Sequence, residues 1–380
     1  MRAPALLTLI GALSAIGASA QDATVGARIE AYALSESEGL LLKSMHLVTT
    51  PVEVRVPVSS SIALAVSAAY ADARATLRNG ETSRVSGPVD TRVSVAVSRA
   101  GFLLRGVAVL PTGEVVSSLE EAVVVGVMSA DLMPFALTQW GTGGGFSGDV
   151  AYGFVGADLA IRLSAGASLR AGSRPLGSVG YTFEPGREIR GRIGIDAPAG
   201  EASLVSLLFG YQRFAADAYG GRNVFTTGSR MDALVSYSFP LGAAEGGLAY
   251  AGVYRLGPAS SELTADVLNA LGAVVVGTGA RAPRTVLVGG TELRVRRGSV
   301  AYVPRADVRL VRSQDGVGQG WLASLGGRAE LGSLAGLLGG RVHVEPALAL
   351  RVGRLVAVEG AGSSILGWEA GATLRWEGGR

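Results

Sequence analysis

The sequence predicts an all-β chain: a transmembrane, antiparallel, up-and-down β-barrel of about sixteen strands, with fourteen as the alternative count. Three observations carry this. Apolar and polar residues alternate with period two over most of 21–380, which marks strands with one apolar and one polar face. The joints between the alternating runs are long and short by turns. The chain opens on a segment with the pattern of an export signal. A barrel in a bacterial outer membrane joins these features, with tight periplasmic turns and longer outside loops.

The first twenty residues read MRAPALLTLIGALSAIGASA: one positive charge at Arg2, an apolar stretch from Ala5 to Ile16, and small residues before Gln21. This is the pattern of a secretory signal with an A-x-A cleavage site. The stretch is shorter than the ~20 residues a spanning helix needs. No Cys follows the site, so a lipoprotein anchor is excluded. The expected organisation is a signal peptide over 1–20 and a single barrel domain over 21–380.

The chain has no cysteine, which excludes disulfides and Cys-ligated metal. Mean hydropathy is +0.36 with only 17% charged residues, yet no later apolar run is long enough to span a bilayer as a helix. That apolar surface needs a very large core or lipid. The formal net charge is only +3 and Lys43 is the sole lysine. No basic cluster points to nucleic acid.

Sixteen strands are expected near 24–34, 48–58, 61–77, 89–99, 101–110, 148–156, 158–170, 187–196, 201–214, 230–240, 246–256, 284–296, 298–312, 319–331, 340–352 and 363–376. Most match or exceed the ~9–11 residues of a tilted transmembrane strand. After odd-numbered strands come 35–47, 78–88, 111–147, 171–186, 215–229, 257–283, 313–318 and 353–362. After even-numbered strands come 59–60, Ala100, Ala157, 197–200, 241–245, Arg297 and 332–339. Apart from 313–318 and 332–339, every odd joint is longer than every even one. A soluble sandwich or propeller would also alternate, but it has no reason to sort its joints in this way.

Individual strands are two-faced. Glu188, Arg190, Arg192 and Asp196 oppose Ile189, Ile193 and Ile195; Arg305, Asp307 and Arg309 oppose Val308 and Leu310. Tyr211, Tyr237, Phe239, Tyr250, Tyr254, Trp321, Trp368 and Trp376 lie near strand ends, as interfacial girdles require. In the last strand Leu366, Trp368, Ala370, Ala372, Leu374 and Trp376 share a face, although Glu-Gly-Gly-Arg follows the final aromatic. The 56 glycines are about twice the usual share, and many fall inside strands, where they permit bends and close approaches.

Two joints are too long for simple turns. Residues 111–147 carry apolar positions at helical spacing around Val123–Val127. In 257–283, Ser260 or Ser261 is placed to cap a short helix, with Glu262 or Asp266 near its positive end. Short helices are therefore expected in both outside loops, either plugging the mouth or packing over the rim.

The stretch Asp90–Gly113, DTRVSVAVSRAGFLLRGVAVLPTG, is a strand pair closing on Leu-Pro-Thr-Gly. It resembles the outer-membrane family of phenol-degradation meta-pathway proteins, which is similar in turn to the long-chain fatty-acid transporter barrels. The resemblance covers about the first third of the chain by motif. The asparagine-proline-alanine signature of the fatty-acid transporters is absent. The resemblance implies a porin-like or transporter-like role and assigns no residue.

Catalytic patterns are thin, and no enzyme is expected. His46 and His343 are the only histidines. His343 alternates with Arg341 and Glu345 and would face the lumen, either as an acid–base group beside Glu345 or as one member of a polar row. No G-x-S-x-G elbow, H-E-x-x-H or P-loop occurs, and Gly141–Gly145 reads as a hinge closing the long insertion. No cofactor or metal is implied. The residues expected to line the lumen and set selectivity are Arg92, Arg162, Arg190, Arg192, Arg294, Arg296, Arg305, Asp307, Arg309, Arg328, Glu330, Arg341, His343 and Glu345. They would favour anionic or polar solutes, or they would neutralise one another and stiffen the wall. The partners expected are outer-membrane lipid, the barrel-assembly machinery and a small solute. A blocked, structural or adhesive surface barrel is the competing expectation.

Overall fold

The computed structural model describes residues 22–36, 42–116, 118–128, 131–156, 158–173, 182–242, 245–261, 283–314, 319–335, 340–358 and 361–378. The expected signal peptide lies outside these residues. The chain forms β1 (Asp22–Leu34), β2 (Leu42–Pro57), β3 (Ile62–Leu77), β4 (Thr82–Pro88), β5 (Thr91–Arg99) and β6 (Phe102–Leu110), then a helix α1 (Leu119–Met128). There follow β7 (Gly145–Val155), β8 (Ala160–Arg170), β9 (Phe183–Glu184), β10 (Glu188–Pro198), β11 (Leu204–Phe214), β12 (Ala216–Tyr219), β13 (Arg222–Thr226), β14 (Arg230–Gly242) and β15 (Glu245–Leu256). The last are β16 (Ser260–Ser261), β17 (Arg284–Arg297), β18 (Val300–Ser313), β19 (Gln319–Ala335), β20 (Gly340–Val358) and β21 (Ala361–Gly378).

The main sheet is a closed antiparallel barrel of sixteen strands, with β4 and β5 counted as one interrupted strand along β3. Closure comes from β21 pairing back onto β1, from Asp22↔Glu377 to Leu34↔Ile365. Closure matters because an open sheet would leave an edge of unpaired N–H and C=O groups. Above one end, β9, β12, β13 and β16 form a separate four-stranded crown.

Directly paired residues share a face of the sheet. The outward rows are apolar and exposed: Leu325 is 69% and Leu366 62% accessible. Of the expected girdle aromatics, six lie in outward rows. Tyr250 and Tyr254 do not. Tyr250 pairs with Ser236 and Tyr254 with Asp232, both in inward rows, while Ala249, Ala251 and Val253 face outward. Proximity to a strand end did not fix the face; parity within β15 did.

The strands run further than the alternation suggested. β2 begins at Leu42, β4 occupies most of the expected joint 78–88, and β20 reaches Val358. The joints after β3 and β20 therefore shrink to 78–81 and 359–360, and that after β1 to 35–41; the long–short sorting holds for 35–41, 111–144, 171–187, 215–229 and 257–283. The strand ends beyond the apolar band carry polar residues outward, such as Asp72 paired with Arg84, which broke the alternation used to find them.

Pro51 sits inside β2. The β1–β2 ladder stops at Val25↔Val52 and resumes at Arg28↔Thr49, leaving Gly26 opposite the proline. Proline has no N–H to donate. A Cβ on Gly26 would lie 3.2 Å from Pro51 Cγ, so glycine gives the ring its space.

Candidate functional site: a divided lumen

The segment 111–144 folds into the barrel. It leaves β6 and reaches β17 and β18, seven and eight strands round a wall of sixteen, so it crosses the lumen from one side to the other. Its helix opens on a reciprocal cap: Ser118 Oγ accepts from the Glu121 N–H and Glu121 Oε2 accepts from the Ser118 N–H, each at 3.2 Å. Beyond the helix, Asp131 Oδ2 takes Arg284 Nη1 at 3.0 Å, and Arg309 Nη1 donates to the Asp131 carbonyl at 2.7 Å.

The segment then runs back. Ala136 N donates to Glu30 Oε2 at 2.8 Å, and Phe135 meets Tyr32 edge-on at 4.9 Å. Glu30 is fully buried, held by Arg28 at 2.9 Å and Arg351 at 3.1 Å, and Arg351 also binds Tyr32 and Glu369. Two cations and two carboxylates thus neutralise one another, as buried charges must. Trp140 is 1% exposed and donates Nε1 to the Ala71 carbonyl. Val124, Met128, Leu132, Met133, Phe135 and Trp140 form one apolar cluster with inward residues such as Met45, Leu47, Ala73 and Val311.

Asp90 ties both ends. It lies in the break between β4 and β5 and accepts from Gly113 N at 2.8 Å, Thr142 N at 2.6 Å and Thr142 Oγ1 at 2.7 Å. Its own N–H donates to the Trp140 carbonyl. Gly143 and Gly144, at φ +80° and +87°, then turn the chain into β7. That conformation favours glycine, so the glycine run is a shaped return fastened by Asp90.

A cavity of about 900 Å³ remains between the segment's returning limb and the wall from β2 to β10. Arg92, Arg105, Arg170 and Arg190 line it, with Glu53, Asp90, Asp149 and Glu188. Arg190 is paired with Asp149 at 2.7 Å and with Glu188 at 3.4 Å. Arg92, Arg105 and Arg170 have no carboxylate within 4 Å among the described residues, nor has nearby Arg192.

All fourteen residues predicted to line the lumen occupy inward rows. Arg162 pairs with Asp196, Arg294 with Glu330, Arg305 with Asp307, and Arg328 with Glu292 and Glu330. His343 Nε2 lies 3.5 Å from Glu377 across the seam to β21. Arg309 holds the crossing segment. Arg296, Arg341 and Glu345 have no ion-pair partner within 4 Å among the described residues. Sequence reasoning missed Asp90, Asp131 and the neutral cluster around Glu30, because their partners are distant in sequence; it also missed the Ser118–Glu121 cap, whose S-x-x-E spacing is a local signal.

The helix expected in 111–147 is present. The one expected in 257–283 falls on residues outside those described; Ser260 and Ser261, where it was expected to begin, are extended in β16 against Phe225 and Thr226. Within the crown, burial raises the Asp217 pKa, opposed by the N–H of Gly186 at 2.6 Å. Among the described residues no group of three His, Asp or Glu is placed to hold a metal ion.

No protein-family model matches the chain, and no curated protein does. Among solved structures, it is similar to a bacterial polysaccharide outer membrane secretin, at 13% identity, with 93% of this chain and 98% of that one covered and a TM-score of 0.46. It is similar to Pseudomonas aeruginosa OccK11 (OpdR), at 12% identity, 94% and 96% coverage and a TM-score of 0.46. An anion-selective porin from Comamonas acidovorans matches at 9% identity, 94% and 100% coverage and a TM-score of 0.40. At such identities and scores these likenesses carry no argument about what this barrel does.

Proposed function

We propose that the chain is an outer-membrane, porin-like channel that passes small solutes by diffusion and prefers anions. A sixteen-stranded barrel is wide enough for an aqueous lumen, and its exposed apolar outer face suits acyl chains. The observation that carries the reading is the cavity beside the crossing segment. Its wall presents Arg92, Arg105 and Arg170 without carboxylate partners, while Glu53 is the one lining acid with neither an ion pair nor an Asp90-type hydrogen-bond set among the described residues. Rings of unneutralised charge select ions of opposite sign in pores.

The crossing segment also favours a second reading, in which the lumen is blocked and the outside loops serve adhesion. Single-channel recording separates the two. Conductance with a reversal potential on the anion side of a KCl gradient is expected, and Arg92→Glu/Arg105→Glu/Arg170→Glu should move it toward cations. Silence in every recording would support the blocked barrel.

A further inference from the structure

Apart from Glu245 at the short-turn end of β15, outward positions on seven adjacent strands, β11, β14, β15, β17, β18, β19 and β20, carry neither Asp, Glu nor Lys. At the long-loop end they carry four arginines: Arg213 on β11, Arg255 on β15, Arg312 on β18 and Arg354 on β20. Arg297, at the opposite end of β17, is the other cation on these positions. Register fixes the facing. Arg213 pairs with exposed Ile189, and Arg255 with exposed Met231. Arg255 and Arg312 both pair with Thr285, and Arg354 pairs with outward Trp321.

The four recur on every second strand, so the strand spacing sets their backbone positions about 10 Å apart across the sheet. All four are exposed, and none has a carboxylate within 4 Å among the described residues. Directly beneath them the outer face turns apolar at Tyr211, Val253, Leu310 and Val352. An unneutralised cationic row on the rim of an apolar band fits a molecule with acyl chains below and anionic groups above.

We propose that this row binds the phosphate headgroups of lipids in the leaflet next to the long loops. The inference rests on the membrane-barrel reading. Its geometry commits to a lipid rather than a free anion, because the guanidiniums face outward over the apolar band and not into the lumen. A phosphate monoester carries about −1.5 to −2 charges at neutral pH, and each basic side chain near an anionic surface contributes about fivefold.

The test uses the full folded chain in phosphatidylcholine nanodiscs doped with a phosphate-monoester lipid. Native mass spectrometry reads the lipids retained. Retention should fall by several hundredfold, roughly fivefold for each arginine removed, in Arg213→Gln/Arg255→Gln/Arg312→Gln/Arg354→Gln and survive in the fourfold Lys variant. Unchanged retention in the Gln variant, once its folding is confirmed by gel mobility, overturns the proposal. Competition by equimolar inorganic phosphate overturns the lipid assignment. Failure of the wild-type chain to enter any bilayer would instead sink the membrane-barrel reading itself.

Discussion

Replacing Asp90 with alanine should loosen both ends of the crossing segment while leaving the barrel wall intact. Three donors converge on this carboxylate from Gly113 and Thr142. Hydrogen bonds to a charged group are worth ~1.5–3 kcal/mol each when nothing replaces them. The freed donors here can reach lumen water, so a net loss of roughly 1 kcal/mol per bond is the better figure. The sum, about 3 kcal/mol, shifts the balance between docked and released ends by on the order of a hundredfold. The middle of the segment stays seated, because burying side chains such as Trp140 and Phe135 adds roughly 1.5–3 kcal/mol apiece. The expected phenotype is thus a noisier channel with added open substates, not a bare pore. Asp90→Asn, which keeps one acceptor oxygen, should fall between. Adding Trp140→Ala, at ~3–5 kcal/mol for a buried aromatic, should convert the substates into a steady larger conductance. Planar-bilayer traces at matched insertion counts are the assay. Indistinguishable traces for Asp90→Ala and wild type would refute the assignment of Asp90 as the fastening.

Two further outcomes test the wall. Leu350→Arg places a charge mid-strand on the outer face, 59% exposed in β20. It should weaken folding into phospholipid vesicles by ~2–4 kcal/mol, measured by urea titration, whereas a chain whose outer face meets water would be unaffected. Gly326→Ala sets a Cβ against the Leu348 carbonyl and Ala349 on the neighbouring strand. The crowding should cost about 1–3 kcal/mol and lower the temperature at which the folded band disappears on a semi-native gel.

Period-two alternation made the strands legible because each inward and outward row meets a different surroundings, and a register slip would invert both. The same signal failed where the outer environment changes along a strand. Asp72 and Arg84 face outward above the apolar band, so the strands there read as loops. Arg213, Arg255, Arg312 and Arg354 violate the alternation for the same reason. The inward face was legible as charge but not as pairing: Arg309 looks like any other lumen arginine until Asp131 arrives from a segment far away in sequence. The interior route of 111–144 depends on non-local partners, and only the Ser118–Glu121 cap advertises its start.

The acceptor for the Ala136 N–H is assembled from three strands that meet only where the two ends of the sheet join. Glu30 comes from β1, Arg351 from β20 and Glu369 from β21. While that join is unmade, Glu30 has only Arg28 of its own strand beside it, without Arg351 and Glu369, and the returning limb lacks its completed docking site. Zipping the first strand to the last is therefore a precondition for seating the internal strap: during biogenesis the cylinder must be complete before its interior is furnished.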